Sequence, residues 1–87
     1  MQVIETVILG GTFEIGNCSW NDGCDISIRS RHDLPSGKFT PYNSPEVPSY
    51  ELPAMVAAAL RSKVMPIQVK RSILAEVAQW IAESQPE

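Results

Sequence analysis

The chain has 87 residues, 44% of them apolar and 20% charged, with 7 Lys+Arg against 10 Asp+Glu. That length holds one small domain with a thin core, which leaves little room for a spacious catalytic cleft and makes association between copies a natural source of stability. A net charge of −3 argues against general affinity for nucleic acid or for an anionic membrane.

The start, Met1-Gln2-Val3-Ile4-Glu5, has no basic region ahead of an apolar core, and no apolar run reaches the ~20 residues of a membrane span. The expectation is a cytoplasmic protein with no membrane contact. Cys18 and Cys24 are too few for a disulfide framework. With His32 the sole histidine, they also fall short of the donor set of a closed zinc site, so no metal and no cofactor is expected.

Residues 2–9 are rich in β-branched side chains and read as a first strand. Its pattern puts Val3, Val7 and Leu9 on one face and Ile4 and Ile8 on the other, so the strand is apolar on both sides. Gly10-Gly11 supplies the positive φ of a tight hairpin, and a second strand follows over 12–20 with Gly16 as a bulge or a point of close backbone approach. Asn21-Asp22-Gly23 signals another turn, and a third strand covers 24–31. There Ile26 and Ile28 alternate with Asp25, Ser27, Arg29 and Arg31, the period of a sheet with one wet face.

All seven prolines lie at or after position 35, and four of them punctuate residues 32–49, which read as a long, stiff, Pro-rich loop. Phe39, Tyr42 and Val47 within it are expected to tie it against the sheet or a partner. The last third reads as two helices. The first spans about 52–63, with Pro53 tolerated in its opening turn and Leu52, Met55, Val56 and Leu60 as an apolar stripe beside four alanines. The second spans about 66–84, with Val69, Ile73, Val77 and Trp80 recurring at helical spacing and Leu74 and Ile81 alongside. The expected architecture is α+β: a three-stranded antiparallel meander, the long loop, then an antiparallel helical hairpin packed on one sheet face.

Catalytic constellations are poorly supplied, because any triad would have to be built on His32 and the acidic residues are dispersed. The expected function is therefore that of a non-enzymatic, oligomeric, protein-binding regulator or inhibitor, such as an accessory protein of a bacterium or phage. Trp20, Phe39, Tyr42 and Tyr50 are its candidate anchors. The excess of apolar surface on the first two strands, and the alanine-rich first helix, point to a dimer or higher oligomer.

A different reading places a phosphorylated or nucleotide-like ligand at a subunit interface, on Arg29, Arg31, His32 and Lys38, since paired guanidinium groups suit anions. Cross-strand ion pairs, for instance to Glu14, account for the same arginines without a ligand. A helix-turn-helix DNA reader is the weakest comparison: Lys70 and Arg71 are offset by Glu76 and Glu83.

Overall fold

The computed structural model describes residues 1–23, 25–38 and 44–84. It is α+β, with a four-stranded antiparallel sheet and two helices. The strands are β1 (Gln2–Ile8), β2 (Thr12–Asn17), β3 (Ile26–Ser30) and β4 (Val47–Pro48), hydrogen-bonded in sequence order; the helices are α1 (Leu52–Arg61) and α2 (Ile67–Ser84). The chain divides into two compact units, Met1–Leu52 and Pro53–Glu87, and each is described by itself.

In the first unit, β1 ends at Ile8, which pairs with Thr12, so the connection is a three-residue loop and not the two-residue turn that Gly10-Gly11 suggests. Gly10 takes φ +72 there, a conformation that glycine adopts without steric cost. The β1–β2 register slips between Val3 and Glu5, leaving Ile4 as the extra residue of a bulge. Beyond the slip Val3 lies opposite Gly16 and shares a face with Thr6, whereas simple alternation put it with Val7. Gly16 is thus the point of close approach, and the bulge sits on the strand facing it. A Cβ at Gly16 would lie 2.0 Å from the Gln2 carbonyl oxygen and 2.8 Å from Val3 Cα.

β2 and β3 are each shorter than the sequence pattern suggests, because the turn between them reaches further into both. Asn21, Asp22 and Gly23 all take positive φ, and the Gly23 amide donates to the Trp20 carbonyl at 3.0 Å. Asn and Asp tolerate this region better than other side-chain-bearing residues. The Cys18 amide donates to the Asp25 carbonyl at 2.9 Å and closes the hairpin; Cys24 lies outside the described residues.

The 32–49 segment is not strandless: Val47 and Pro48 pair with Ile28 and Ser27 as a fourth strand. Proline is acceptable because β4 is an edge. The opposite edge, β1, has seven residues with neither proline nor lysine.

The largest departure concerns which face is dry. The alternation in β3 predicts Ser27 and Arg29 on the wet side. They are buried instead, with Glu14, Gly16 and Cys18 of the adjoining chain, whereas Ile26 is 42% exposed. The physical reason is polar partnering: Glu46 reaches Ser27, Glu14 meets Arg29 across β2 and β3, and Ser44 bridges the backbone of His32, so polar groups meet polar partners and are removed from water together. None of the described buried side-chain nitrogen or oxygen atoms is left without a hydrogen bond. The other face carries the half-buried row Val7, Phe13, Ile15, Ile28 and Val47.

In the second unit, α1 stops at Arg61. The Ser62 hydroxyl then accepts the Val64 and Met65 amides at 3.1 and 3.0 Å, and the Pro66 carbonyl accepts the Val69 amide at the start of α2. A short 3-10 turn, Ser49–Glu51, leads into α1.

Candidate functional site

The residues expected to hold an anion gather around carboxylates. Glu14 and Arg29 are opposite one another across β2 and β3, with Arg29 Nε donating to Glu14 Oε1 at 2.9 Å and both residues buried. Arg31, on the same face by the two-residue period, places Nη1 3.4 Å from Glu14 Oε2 and donates from Nε to Asp33 Oδ1 at 3.1 Å. The hydrogen bond to Asp33 raises the Arg31 guanidinium above its ordinary value; desolvation opposes the rise, and the charges of Asp33 and Glu14 and the Glu14 hydrogen bond add to it. Two bases and two acids make this group neutral, so it offers no net attraction to a phosphate.

His32 is exposed, its Nε2 3.2 Å from the Ser30 hydroxyl. Lys38 is exposed in a turn closed by the Leu34 amide donating to the Lys38 carbonyl at 2.7 Å. The structure thus joins Arg29 and Arg31 through Glu14 and leaves His32 bonded to Ser30.

Of the expected aromatic anchors, Trp20 is half-buried and donates its indole N–H to Asp25 Oδ2 at 3.2 Å, while its carbonyl accepts the Cys18 thiol at 2.7 Å. Tyr50 is 66% exposed in the turn before α1. Phe39 and Tyr42 lie outside the described residues.

Glu46 is a second polar node, missed by the sequence reading. Its Oε1 accepts from the Ser19 amide and the Ser27 hydroxyl at 3.1 and 2.9 Å, its Oε2 accepts from the Ser19 hydroxyl at 2.6 Å, and the N-terminal ammonium stands 3.8 Å away. Burial pushes this carboxyl up, but the serine hydrogen bonds and the ammonium outweigh it, and Glu46 is held below the ordinary carboxylate value. These contacts fasten Ser19 and the chain start to the returning loop. They describe a structural clasp.

The helical unit is the larger signal. Val56 and Leu60 of α1 and Ile67, Ile73, Leu74 and Val77 of α2 line a groove of about 360 Å³, joined by the stems of Lys70 and Arg71. Lys70 Nζ donates to the Ser62 carbonyl, which leaves its methylene stem along the apolar wall. Beyond the groove, Trp80 is 67% exposed and Ile81 46% exposed. Neither helix contains a buried residue.

Helix geometry explains the shortfall. At 1.5 Å per residue α1 is about 15 Å long and α2 about 27 Å, so α1 cannot accompany α2 over its whole length. Advancing ~100° per residue, the apolar positions of α2 from Val69 round to Ile67 cover an arc of roughly 160°, wider than one neighbouring helix can cover. That arc was the sequence signal that could have identified this surface; reading the same positions as ordinary core concealed it.

Among the described residues no cluster of His, Cys, Asp and Glu is placed to hold a metal, and no helix is long and apolar enough to cross a membrane. No protein-family model matches the chain, and neither a curated protein nor a solved structure shows significant similarity to it.

Proposed function

We propose that this chain is a small non-enzymatic protein-association module, a cytoplasmic regulator or inhibitor that forms homo-oligomers, with the helical unit as its binding element. The observation that carries this reading is that ten large apolar side chains between Met55 and Ile81 are exposed while neither helix buries a residue. Contiguous apolar surface on this scale marks association sites. Trp80 is the natural anchor, since a large aromatic side chain gives much contact area for little lost freedom.

The anion and DNA readings have less support. Glu14 and Asp33 already engage the two arginines, and Lys70 and Arg71 share their helix with Glu76 and Glu83.

The test is capture with the wild-type chain beside a Leu74→Glu/Trp80→Glu variant whose β-sheet spectrum is unchanged. Recovery of the same protein, this chain included, by the wild type and its loss with the variant is the expected result. Equal recovery by both, or binding of nothing by either, refutes the reading.

A further inference from the structure

We infer that the turn joining α1 to α2 is a contact for an anionic lipid surface: Val64 at its tip enters the interface while Arg61, Lys63, Lys70 and Arg71 engage the headgroups. The layer is met at its surface and not crossed. This goes beyond protein capture by Leu74 and Trp80 and does not depend on it.

The first observation is how charge is distributed along the chain. Residues 52–75 hold four basic residues, Arg61, Lys63, Lys70 and Arg71, and no acidic one, whereas all ten acidic residues lie elsewhere with only three basic ones. The net charge of −3 conceals this segregation. Charges are felt over about one Debye length, ~8 Å at physiological salt, so a local basic pole acts on a surface it touches whatever more distant parts of the chain carry.

The second is that the fold gathers the four. Lys70 Nζ donates to the Ser62 carbonyl, which brings this α2 cation beside Arg61 and Lys63, the chain neighbours of Ser62. Arg71 lines the same wall as Leu60, Ile67 and Lys70. Arg61, Lys63 and Arg71 are exposed and Lys70 is half-buried, and among the described residues none of the four stands in an ion pair. Helix stability accounts for Arg61, which suits the C-terminal end of α1. It does not account for Lys70 and Arg71, which lie early in α2, a helix with no acidic residue in its first turn to complement the dipole.

The third is what stands among these charges. Val64 is 92% exposed, the most of any large apolar side chain described, and Leu60 and Ile67 before and after it are exposed too. The Ser62 hydroxyl accepts the Val64 and Met65 amides and so fixes the turn that carries Val64. A nucleic-acid backbone rewards the cations and offers nothing to a valine. A lipid interface rewards both, since each basic side chain near an anionic surface gains roughly fivefold in binding and an apolar side chain gains by entering the acyl boundary.

Cosedimentation of the full chain with vesicles tests this. Vesicles of phosphatidylcholine with about 30% phosphatidylserine should bind it, pure phosphatidylcholine should not, and raising the salt from about 0.1 to about 0.5 M should release it. Lys63→Glu/Arg71→Glu should weaken binding by more than about 100-fold, Lys63→Gln/Arg71→Gln by roughly 25-fold, and Val64→Ser by roughly fivefold. All three positions are exposed, so the circular dichroism of each variant should match that of the wild type. Absence of binding to the phosphatidylserine vesicles, equal binding to both vesicle types, or binding untouched by the charge variants overturns the proposal. So does binding of duplex DNA that is lost in Lys63→Glu/Arg71→Glu and unmoved by Val64→Ser, because the turn would then be a phosphate-backbone contact.

Discussion

Glu14 and Arg29 meet at 2.9 Å across β2 and β3, an ion pair buried where a small domain would ordinarily place leucine or valine. Such a pair contributes little over a well-packed apolar pair, but removing one partner strands the other charge away from water. Glu14→Ala should therefore cost about 3–5 kcal/mol, a large part of what a domain of this size has. Urea unfolding of Glu14→Ala and of Glu14→Leu/Arg29→Met measures this. The double variant should recover at least half of the loss, and a single variant as stable as the wild type contradicts the pairing.

Gly16 and Val3 impose a second constraint. The atoms that an added Cβ would strike belong to the backbone of Gln2 and Val3, which cannot swing aside as a flexible side chain can. Gly16→Ala should cost about 1–3 kcal/mol, the range for forcing extra volume into a closed space. The loss should be local at first, with faster amide exchange along the first turn of strand before the bulge than at Ile28. Uniform exchange rates in the variant would show that β1 is not pinned there.

Glu46 makes stability depend on acid. Its folded pKa lies below the unfolded value, so its contribution is fully present above about pH 4.3 and is lost as pH falls through the folded pKa. The melting temperature should drop between about pH 6 and about pH 3, and Glu46→Gln should shrink the drop while lowering stability at the higher pH. An identical acid-induced drop in the variant would assign the effect to other carboxylates.

Ser44 accepts the His32 amide at 2.7 Å and donates to the His32 carbonyl at 3.2 Å while being 1% exposed. Ser44→Ala leaves both backbone groups without that partner and should cost about 1–3 kcal/mol. Calorimetry should register a fall in melting temperature of roughly 5–15 °C for a chain of this size. An unchanged melting temperature would mean that water replaces the hydroxyl without loss.

Much of the fold was legible from local chemistry. Gly10, Asn21, Asp22 and Gly23 act on their own backbones, so the turns were placed, and the β-branched and alanine-rich runs marked strands and helices for the same reason. The dry face of the sheet was not legible, because Ser27 meets Glu46 from 19 residues away and Arg29 meets Glu14 on the neighbouring strand. β4 was hidden by Pro48, which reads as a loop residue unless the edge position is known. For the candidate site, the arginines were found but their carboxylate partners weighed more than their spacing. Trp80 and Leu74 were found as a stripe; its width around α2, together with the unequal helix lengths, shows that α1 leaves part of it uncovered.

The two margins of the sheet are unequal in a way that limits growth. Pro48 withholds an amide and β4 is two residues long, so that margin is a poor template for a further strand. Among the described residues β1 is the longer margin and the better template for a neighbour, and two such margins that meet satisfy each other. Edge-on joining through β1 therefore closes at a pair.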